Sequence, residues 1–572
     1  MNEYTGVAVS AGRVIDPVKV MAPSVAEPER GEVLAEGEAR EKEASRIAEA
    51  AAAVRADLEA RAERASADGQ AVLEATAQMA ADPTLTTSAE QLVRTAGMSA
   101  ERAVWEAGDQ VATMLEGLGG YMAERSSDVK DVRARIVAQL RGEEAPGIPF
   151  SEERFILVAQ DLAPADTATL DPSIVSALVT SDGGPQSHTA ILARQLGIPA
   201  VVAAKGVDEI EQGTVVYVDG AAGTVTSEFG ERERELSAAW YELLKNPLTY
   251  EGGGAKLSDG TLIPLLANVG GEKDAALAAE ANADGVGLFR TEFCFLDREE
   301  EPSVDEQAEA YAGVLRKFPG KKVVIRTIDA GADKPLPFLT DAEEPNPALG
   351  VRAYRTSWEK RSVLENQLKA IVKASAETDA EPWVMAPMIS TLEDTEDFVA
   401  IAREAGVKHA GIMVETPSAA LTSDHLMGVA DFASIGTNDL AQYTMAADRM
   451  LGALAKLNDP WQPAVLALVG ATATGARVAG GDLEAFGDGA NKPVGVCGEA
   501  AGDPALAVVL VGLGVNSLSM TPRSLPAVAK VLSTVSLEQT RELARIAVSA
   551  PTAAEGKRAV REQLPILEEI GL

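Results

Sequence analysis

The sequence predicts a multidomain α/β protein, and three observations support this fold class. Its 572 residues exceed what one hydrophobic core normally organises, so several domains are expected. Residues 31–141 are rich in Ala, Glu and Arg with helical periodicity, while short strand-like runs lie on either side. Beyond residue 256, eight apolar runs alternate with helical segments, which is the pattern of consecutive βα units.

The composition narrows the classes of function. The chain has 51 Lys and Arg against 87 Asp and Glu, a formal net charge of −36. Such a field repels nucleic acid and anionic lipid and attracts basic partners, although solubility alone is a simpler reason for it. Cys294 and Cys497 fit no metal-ligand spacing, which favours a reducing cytoplasm over a disulfide framework. We find no signal-peptide pattern and no run of 18 apolar residues, so no membrane span is expected.

The N-terminal part begins with one or two short strands in residues 1–20 and then becomes helical. Ile47, Val54 and Leu58 recur at spacings of seven and four, which places them on one face of a helix. Four more helical segments follow up to residue 141, one of them stopping near Pro83. Short loops between them predict an antiparallel helical subdomain over residues 31–141.

The stretch "GGPQSHTAILARQLGIP" contains His188, one of only three histidines in the chain. A helix is predicted from about Ser187 to Gly197, with Ile191, Leu192 and Leu196 facing a sheet. At a helix N-terminus the dipole keeps the imidazole neutral and nucleophilic and stabilises an attached phosphate. Gly183 and Gly184 would let the backbone turn tightly before it. A capping or packed histidine fits this stretch equally well, while His409 and His425 are interpreted as structural.

Residues 228–256 comprise a charged helix followed by "EGGG", and we place the main domain boundary near residue 250. The eight apolar runs that follow predict a (β/α)8 barrel, whose active site lies where the strands end. Polar residues stand at those ends. They are Asn268, Arg290 with Glu292, Arg326 with Asp329, Ser390, Glu415, Asn438 with Asp439, Cys497 with Glu499, and Ser519 with Thr521.

These polar residues suit the binding of a phosphorylated acid. Glu415 and Asp439 could hold one Mg²⁺, a hard ion that leaves coordination places for substrate oxygens. The guanidiniums suit a phosphate group; they are Arg290, Arg326 and Arg449, with Arg352 and Lys334 in a long loop region. Cys497 could act as a nucleophile or a proton donor, whereas Cys294 is expected to pack. Any one of these charges could instead form a structural ion pair, but eight consecutive strand ends favour a site.

Seven motifs occur in order along the chain. They are "GGPQSHTAILARQLGIPAVV", "GVGLFRTEF", "VVIRTIDAGADKPLP", "NPALGVRAYR", "GIMVETPSA", "SIGTNDLAQYTMAADR" and "GVCGEAAGD". Each motif alone is shared among phosphoenolpyruvate-using enzymes, but their order and the total length are specific. On these motifs the chain resembles Enzyme I of the phosphoenolpyruvate:sugar phosphotransferase system over nearly its whole length.

The resemblance implies a domain plan. A swivelling α/β phosphohistidine domain occupies residues 1–30 and 142–227, and the helical subdomain at 31–141 is inserted into it. A linker helix and hinge follow at 228–256. The (β/α)8 TIM barrel at 257–572 binds phosphoenolpyruvate and forms a homodimer. The protein is expected in the cytoplasm, with no nucleic acid or membrane as a partner.

The resemblance also implies a reaction. Phosphoenolpyruvate phosphorylates His188 at Nε2 and leaves as pyruvate, and the phosphoryl group then passes to a histidine of the phosphocarrier protein HPr. Cys497 matches the acid that protonates the enolpyruvate carbon, and Glu415 and Asp439 match the Mg²⁺ ligands. The implied substrate-binding residues are Arg290, Arg326, Lys334, Arg352, Asn438, Asp439 and Arg449. The implied HPr contacts are Glu74, Met79 and Asp82, although Met79 is equally suited to the core.

Two departures from the family pattern are visible. The family usually has "GGRTSH" where this chain has "GGPQSH", so Pro185 and Gln186 remove a positive charge and a hydroxyl near the ring. Arg449 lies in "ADRML", where the family commonly has Gly-Asn after the arginine. Two rival functions are a phosphoenolpyruvate dikinase or synthase, which would need an ATP-grasp domain that residues 1–145 lack, and a regulatory module without catalysis.

Overall fold

The computed structural model divides the chain into two compact units, Met1–Glu242 with Gly571–Leu572, and Leu243–Ile570. It describes residues 3–572 except 22–24, 32, 63–66, 81, 119–125, 144–146, 150, 152, 161, 163–169, 185–186, 297, 332–334, 341–343, 450, 452–453, 455 and 482–491. Lys334, Pro185 and Gln186 therefore lie outside the described residues.

The first unit contains an eight-stranded mixed sheet. Its strands are β1 (Glu3–Thr5), β2 (Val7–Ser10), β3 (Arg13–Val20), β4 (Phe155–Ala159), β5 (Val175–Thr180), β6 (Ala200–Val202), β7 (Val215–Asp219) and β8 (Thr224–Thr226). The order is β1-β8-β7-β3-β4-β5-β6-β2, with β3 to β6 parallel and the other pairs antiparallel.

The first twenty residues form three strands, so the prediction of one or two strands was wrong. β1 pairs with β8, β2 with β6, and β3 with β7 and β4. The chain changes partners at Gly6 and Gly12. A Cβ on Gly6 would lie 2.4 Å from the Val202 carbonyl oxygen, and Gly12 has a φ of +132°. These glycines allow close approach and sharp turns that an apolar pattern alone does not reveal.

The helices inserted between β3 and β4 pack on one core of their own. They are α1 (Glu38–Ala62), α2 (Ala67–Ala80), α3 (Pro83–Ala96), α4 (Ala100–Leu118) and α5 (Ser126–Arg141). Ile47, Val54 and Leu58 are all buried in this core, which confirms the predicted face of α1. α3 begins at Pro83 and is capped by Asp82, whose carboxylate accepts a hydrogen bond from the Thr84 amide at 2.7 Å.

Two more helices, α6 (His188–Leu196) and α7 (Glu231–Lys245), follow in the chain. The boundary between the two compact units falls inside α7. The second unit opens with a small hairpin of β9 (Ala255–Lys256) and β10 (Leu262–Ile263).

A closed barrel of eight parallel strands forms the body of the second unit, as predicted. The strands are β11 (Leu265–Val269), β12 (Val286–Arg290), β13 (Lys322–Arg326), β14 (Glu381–Ile389), β15 (His409–Val414), β16 (Ala433–Ile435), β17 (Val494–Val496) and β18 (Ser517–Met520). Each of the eight apolar runs supplies one strand. Inward side chains such as Leu288, Val324, Met385, Met413 and Phe432 fill the barrel with one apolar cluster.

Helices surround the strands of this unit. They are α8 (Glu272–Glu280), α9 (Val304–Leu315), α10 (Arg361–Ala376), α11 (Leu392–Ala405), α12 (Pro417–Leu421), α13 (Ser423–Val429), α14 (Thr437–Met445), α15 (Pro463–Gly480), α16 (Pro504–Gly512), α17 (Leu525–Leu532), α18 (Leu537–Ser549), α19 (Ala553–Glu562) and α20 (Ile566–Glu569). Alone among the described helices, α15 is long and apolar enough to cross a membrane by length and composition. It is not a continuous apolar run, because Gly, Thr and Arg477 interrupt its apolar residues. Val465, Leu466 and Val469 of this helix are buried inside the unit.

The glycine-rich end of the predicted hinge is fastened to the barrel unit. Gly252, Gly253 and Gly254 all have φ near +80°. The Asp284 carboxylate accepts hydrogen bonds from the Gly253 amide at 2.7 Å and the Tyr250 hydroxyl at 2.6 Å. It also accepts one from the amide of Leu265, the first residue of β11, at 2.7 Å. Asp284 thus ties this linker to the start of the barrel, while a hinge within 228–256 stays a prediction.

Candidate active site

The barrel brings the predicted site residues together at the carboxyl ends of its strands. Arg290 and Arg326 are the last residues of β12 and β13, and the register pairs them side by side. Glu415 follows β15, and Cys497 follows β17. Asn438 and Asp439 lie in the first turn of α14, directly after β16. We call this end of the barrel the mouth.

A network of alternating charges occupies the mouth. Asp439 accepts hydrogen bonds from Arg352 at 3.3 Å and from Arg449 at 3.2 Å. Asp329 in turn pairs with Arg352 at 3.0 Å and with Arg326 at 3.1 Å. Only 1% of the Arg352 side chain is exposed. Paired carboxylates therefore hold three of the predicted arginines in place within the mouth.

Arg326 illustrates how pairing with carboxylates keeps a buried guanidinium charged. Its guanidinium is buried and also contacts Glu292. Burial disfavours its charged form, but Glu292 and Asp329 keep the pKa of Arg326 raised above its ordinary value. The Nε of Arg326 is buried with no hydrogen-bond partner among the described residues. Such an unsatisfied donor is suited to an anionic ligand.

Arg290 differs from the other arginines because its side chain is exposed. It has no ion-pair partner within the part of the chain that the structure describes. Asn438, the neighbour of Asp439, is half-buried. These two predicted phosphate-binding groups remain accessible to a ligand at the mouth.

Glu415 is a buried carboxylate with no ion-pair partner among the described residues. Its Oε2 accepts a hydrogen bond from the Met388 amide at 2.9 Å. Burial, followed by the charges of Asp439 and Asp329, raises the pKa of Glu415 to about 8. A divalent cation would relieve this crowding of negative charge. Among the described residues no group of three or more His, Cys, Asp or Glu could hold a metal. Two carboxylates completed by substrate oxygens nevertheless suit Mg²⁺.

The backbone that presents these groups is locally strained. Met388, whose amide binds Glu415, has a φ of +59°, and Ala353, next to Arg352, has a φ of +55°. Residues with side chains rarely adopt such angles, and they concentrate at functional sites. The Ala353 amide is held by the Ala330 carbonyl at 2.8 Å. This strain is consistent with a mouth shaped for ligand binding rather than for stability.

Cys497 retains its proton near neutral pH. Its side chain is 1% exposed and belongs to the apolar cluster inside the barrel. Burial raises the pKa of the Cys497 thiol to about 11. A protonated thiol is better suited to donating a proton than to acting as a nucleophile, so this environment favours the predicted role of proton donor. Cys294 packs with Phe295 and Phe338, as expected.

His188 is the first residue of α6 in the first unit. Ser187 is the N-cap, and its side chain accepts a hydrogen bond from the Ala190 amide at 3.3 Å. The helix ends at Gly197, as predicted. Because Ser187 supplies the cap, the alternative of a capping histidine is not needed. The side chain of His188 lies outside the described part of the chain.

The structure also describes two apolar side chains of the histidine helix and the surroundings of the other two histidines. Leu192 and Leu196 pack against the apolar cluster of the sheet, while the side chain of Ile191 lies outside the described ones. His409, at the amino end of β15, pairs with Glu381 at 2.9 Å. His425 is exposed and 3.9 Å from Asp424.

The three predicted partner-contact residues lie at the end of α2 and the start of α3. Glu74 is exposed. Met79 is partly buried against the helical core, which fits the alternative of a packing role. Asp82 is exposed and caps α3.

Three residues of the site have a role that the sequence did not indicate. Asp329 pairs with Arg352, and Glu292 pairs with Arg326. The hydroxyl of Tyr443 accepts a hydrogen bond from the Arg352 guanidinium at 3.3 Å. Asp329 and Glu292 were recognised only as polar strand ends. Tyr443 stands four residues after Asp439 on α14, a spacing that puts both on one face.

Three known protein families match successive segments of the chain. Models described as "PEP-utilising enzyme, N-terminal", "mobile domain" and "PEP-binding domain" match residues 5–125, 151–223 and 250–537. The chain is thus a phosphoenolpyruvate-utilising enzyme. The match over residues 5–125 also removes the rival that needs an ATP-grasp domain there.

Relatives over the whole length narrow the class further. A phosphoenolpyruvate-protein phosphotransferase of Streptomyces coelicolor is 48% identical over 98% of both chains. One from Haloferax volcanii is 40% identical, covering 86% of this chain and 87% of the relative. A solution structure of Enzyme I matches 42% of this chain and 99% of its own, at 30% identity and a TM-score of 0.36. The chain belongs to the phosphoenolpyruvate-protein phosphotransferase family, the Enzyme I family that its motifs predicted.

Proposed function

We propose that this protein transfers the phosphoryl group of phosphoenolpyruvate to His188 and then to a histidine of the phosphocarrier protein HPr. The observation that carries the proposal is the mouth, where arginines, buried carboxylates and a protonated thiol converge. The names of its relatives support the same reaction. The regulatory rival would have no need of this set of groups.

The chain's own residues account for each part of the first transfer. Arg290, Arg326 and Arg449 bind and orient the phosphoryl group, with Asn438. The P–O bond of phosphoenolpyruvate breaks as an N–P bond forms at His188 Nε2, and the electron pair stays on the enolate. The Cys497 thiol then gives its proton to the enolate carbon, which yields pyruvate, and solvent reprotonates the thiolate.

Mg²⁺ is the cofactor that the site fits best. Glu415 and Asp439 would hold it, and when bound it neutralises charge on the enolate and phosphoryl oxygens. Arg352 and Lys334 are proposed as auxiliary groups of the closed site. The pairing of Arg352 with Asp439 supports this role, since it orients the carboxylate.

The remaining parts of the proposal concern partners and domains. HPr docks on the helical subdomain at 31–141, near Glu74, Met79 and Asp82, and the barrel at 257–572 forms a homodimer. The phosphohistidine domain at 1–30 and 142–227 swings about 228–256 to reach HPr. We place the protein in the cytoplasm, without nucleic acid or membrane as partners.

Labelled phosphoenolpyruvate tests the proposal. With Mg²⁺, the wild type should take up label that is acid-labile and passes to added HPr, and His188→Ala should take up none. His409→Ala is the matched control, because His409 lies at the opposite end of β15 from the mouth. A wild type without acid-labile label, or equal label on His188→Ala, would refute the proposal.

A further inference from the structure

A chain of buried hydrogen bonds lies behind the mouth and is centred on Gln367 of α10. Gln367 is fully buried. Its Oε1 accepts a hydrogen bond from the Ile328 amide at 2.9 Å, and its Nε2 donates to the Thr291 hydroxyl at 3.0 Å. Thr291 directly follows Arg290, and Ile328 stands between Arg326 and Asp329. The side-chain amide of Gln367 therefore joins the ends of β12 and β13, which carry these charged residues.

The donor and the acceptor of each hydrogen bond in the network around Gln367 can be assigned. The Thr291 hydroxyl donates its single hydrogen to the Arg326 carbonyl at 2.9 Å. The Tyr311 hydroxyl, which also accepts from Gln367 Nε2 at 3.1 Å, donates to Gln307 Oε1 at 3.1 Å. Gln307 Nε2 donates to the Pro302 carbonyl at 2.8 Å. Since both hydroxyl hydrogens are committed, only a donor fits where Nε2 stands.

We propose that Gln367 is a positioning residue that sets the separation of the Arg290 and Arg326 guanidiniums for the substrate phosphate. It acts through Thr291 and Ile328 and is distant from the ligand itself. The inference rests on the proposed binding of phosphoenolpyruvate by these arginines.

The chemistry of the mouth explains why such a tie is needed. Arg326 is drawn to Glu292 and Asp329, whereas the exposed Arg290 has no such partner among the described residues. Without this tie, Glu292 and Asp329 would shift the end of β13 but not the end of β12. Bidentate binding of a phosphate depends on the exact separation of the two guanidiniums. An apolar residue at 367 would fill the same volume but leave the Ile328 amide without an acceptor.

The experiment compares Gln367→Met with a matched control at the other end of the barrel. Asn516 Oδ1 accepts the amide of Val494, the first residue of β17, at 2.9 Å, and Asn516 is also buried. Asn516→Leu therefore breaks an equivalent bond away from the mouth. Binding of phosphoenolpyruvate to the full chain with Mg²⁺ is measured by calorimetry, and folding is checked by thermal unfolding.

We expect both variants to melt lower than wild type, but only Gln367→Met to bind phosphoenolpyruvate more weakly, by roughly tenfold or more. Gln367→Glu should bind weakly at pH 8 and recover as the pH falls, because a protonated carboxyl can again donate to Thr291. Wild-type affinity in Gln367→Met, or equal weakening in Asn516→Leu, would overturn the inference.

Two further outcomes separate this inference from the proposed function. A wild type that binds phosphoenolpyruvate without labelling His188 would refute the reaction and leave the role of Gln367 measurable by binding. A wild type that does not bind it at all would overturn both. If Gln367→Met fails to fold, Thr291→Val breaks the same tie at its other end and should weaken binding in the same direction.

Discussion

At the barrel mouth, the protonation state of each side chain follows from its burial and its neighbours. Loss of water raises the pKa of Cys497 to about 11, which keeps a proton ready for transfer. The same loss, together with Asp439 and Asp329, raises the pKa of Glu415 to about 8. One physical cause therefore gives an acid in one place and a carboxylate that favours a cation in another.

The raised pKa of Glu415 predicts a pH-dependent stability. Since the folded protein binds this proton more tightly than the unfolded chain, the contribution of Glu415 to stability is full below pH 4.5 and is lost as the pH rises through about 8. Glu415→Gln keeps an acceptor for the Met388 amide but removes the charge. At pH 8.5 without metal, its free energy of unfolding should exceed that of wild type by about a few kcal/mol, so it should unfold at a higher temperature.

Thermal unfolding from pH 5 to pH 9 measures this difference. The gap between Glu415→Gln and wild type should close towards pH 5, where both side chains are neutral in the folded state. Added Mg²⁺ should stabilise wild type more than the variant, because the variant has lost one of the two carboxylates proposed to hold the ion. A gap that does not vary with pH would contradict the expectation.

Single residues at the strand ends were predictable, but their partners were not. A polar residue after an apolar run marks the mouth of a barrel, and this located Arg290, Arg326, Glu415 and Cys497. The contact of Arg352 with Asp439 joins residues far apart in the sequence, and no local pattern encodes it. The same holds for Gln367, which resembles any polar residue of a helix until its burial is known.

Among the elements, the linker before the barrel shows how a local sequence can mislead. "EGGG" predicts freedom, because glycine permits backbone angles that other residues avoid. The Asp284 carboxylate instead binds the Gly253 and Leu265 amides and the Tyr250 hydroxyl. Here the glycines allow the positive φ angles of a turn that Asp284 anchors.

Asp284→Ala tests this anchor. It removes a charged acceptor from several donors at once, so we expect a loss of about 2–4 kcal/mol in the stability of the barrel unit. Amide exchange over residues 250–256 should accelerate. Hydrogen exchange followed by mass spectrometry measures it, with unfolding by denaturant for the stability.

Asp259→Ala is the matched control for the anchor. Asp259 also accepts backbone amides, those of Leu537 at 2.6 Å and Thr261 at 3.0 Å, but in the hairpin of β9 and β10. It should destabilise the unit without faster exchange at 250–256. Equal acceleration in both variants would show that Asp284 has no special hold on the linker.

Periodicity predicted the helices and barrel strands well, because each buries one face or both. The eight apolar runs became β11 to β18, and Ile47, Val54 and Leu58 became the core of α1. The three strands in residues 1–20 were missed because their division depends on partners at β6, β7 and β8. Pairing between distant strands is a property of the fold rather than of a local pattern.

At the scale of the whole molecule, charge separates the two proposed transfers. The net charge of −36 repels phosphoenolpyruvate, which the arginines of the mouth must capture locally. The same field would attract a protein partner with a basic face. The first transfer therefore depends on a built site, and the second on long-range attraction as well as on contact.

Ionic strength distinguishes these two steps. Because salt screens attraction between exposed charges, the rate of phosphoryl transfer to HPr should fall as the salt concentration rises from 0.05 M to 0.5 M, by roughly tenfold or more. Labelling of His188 by phosphoenolpyruvate should fall much less. Glu74→Gln should slow transfer to HPr at low salt, whereas Glu377→Gln, an exposed glutamate of the barrel unit, should not. Rapid-quench kinetics on each step measure both rates, and a transfer rate that rises with salt would mean that HPr is recognised without this field.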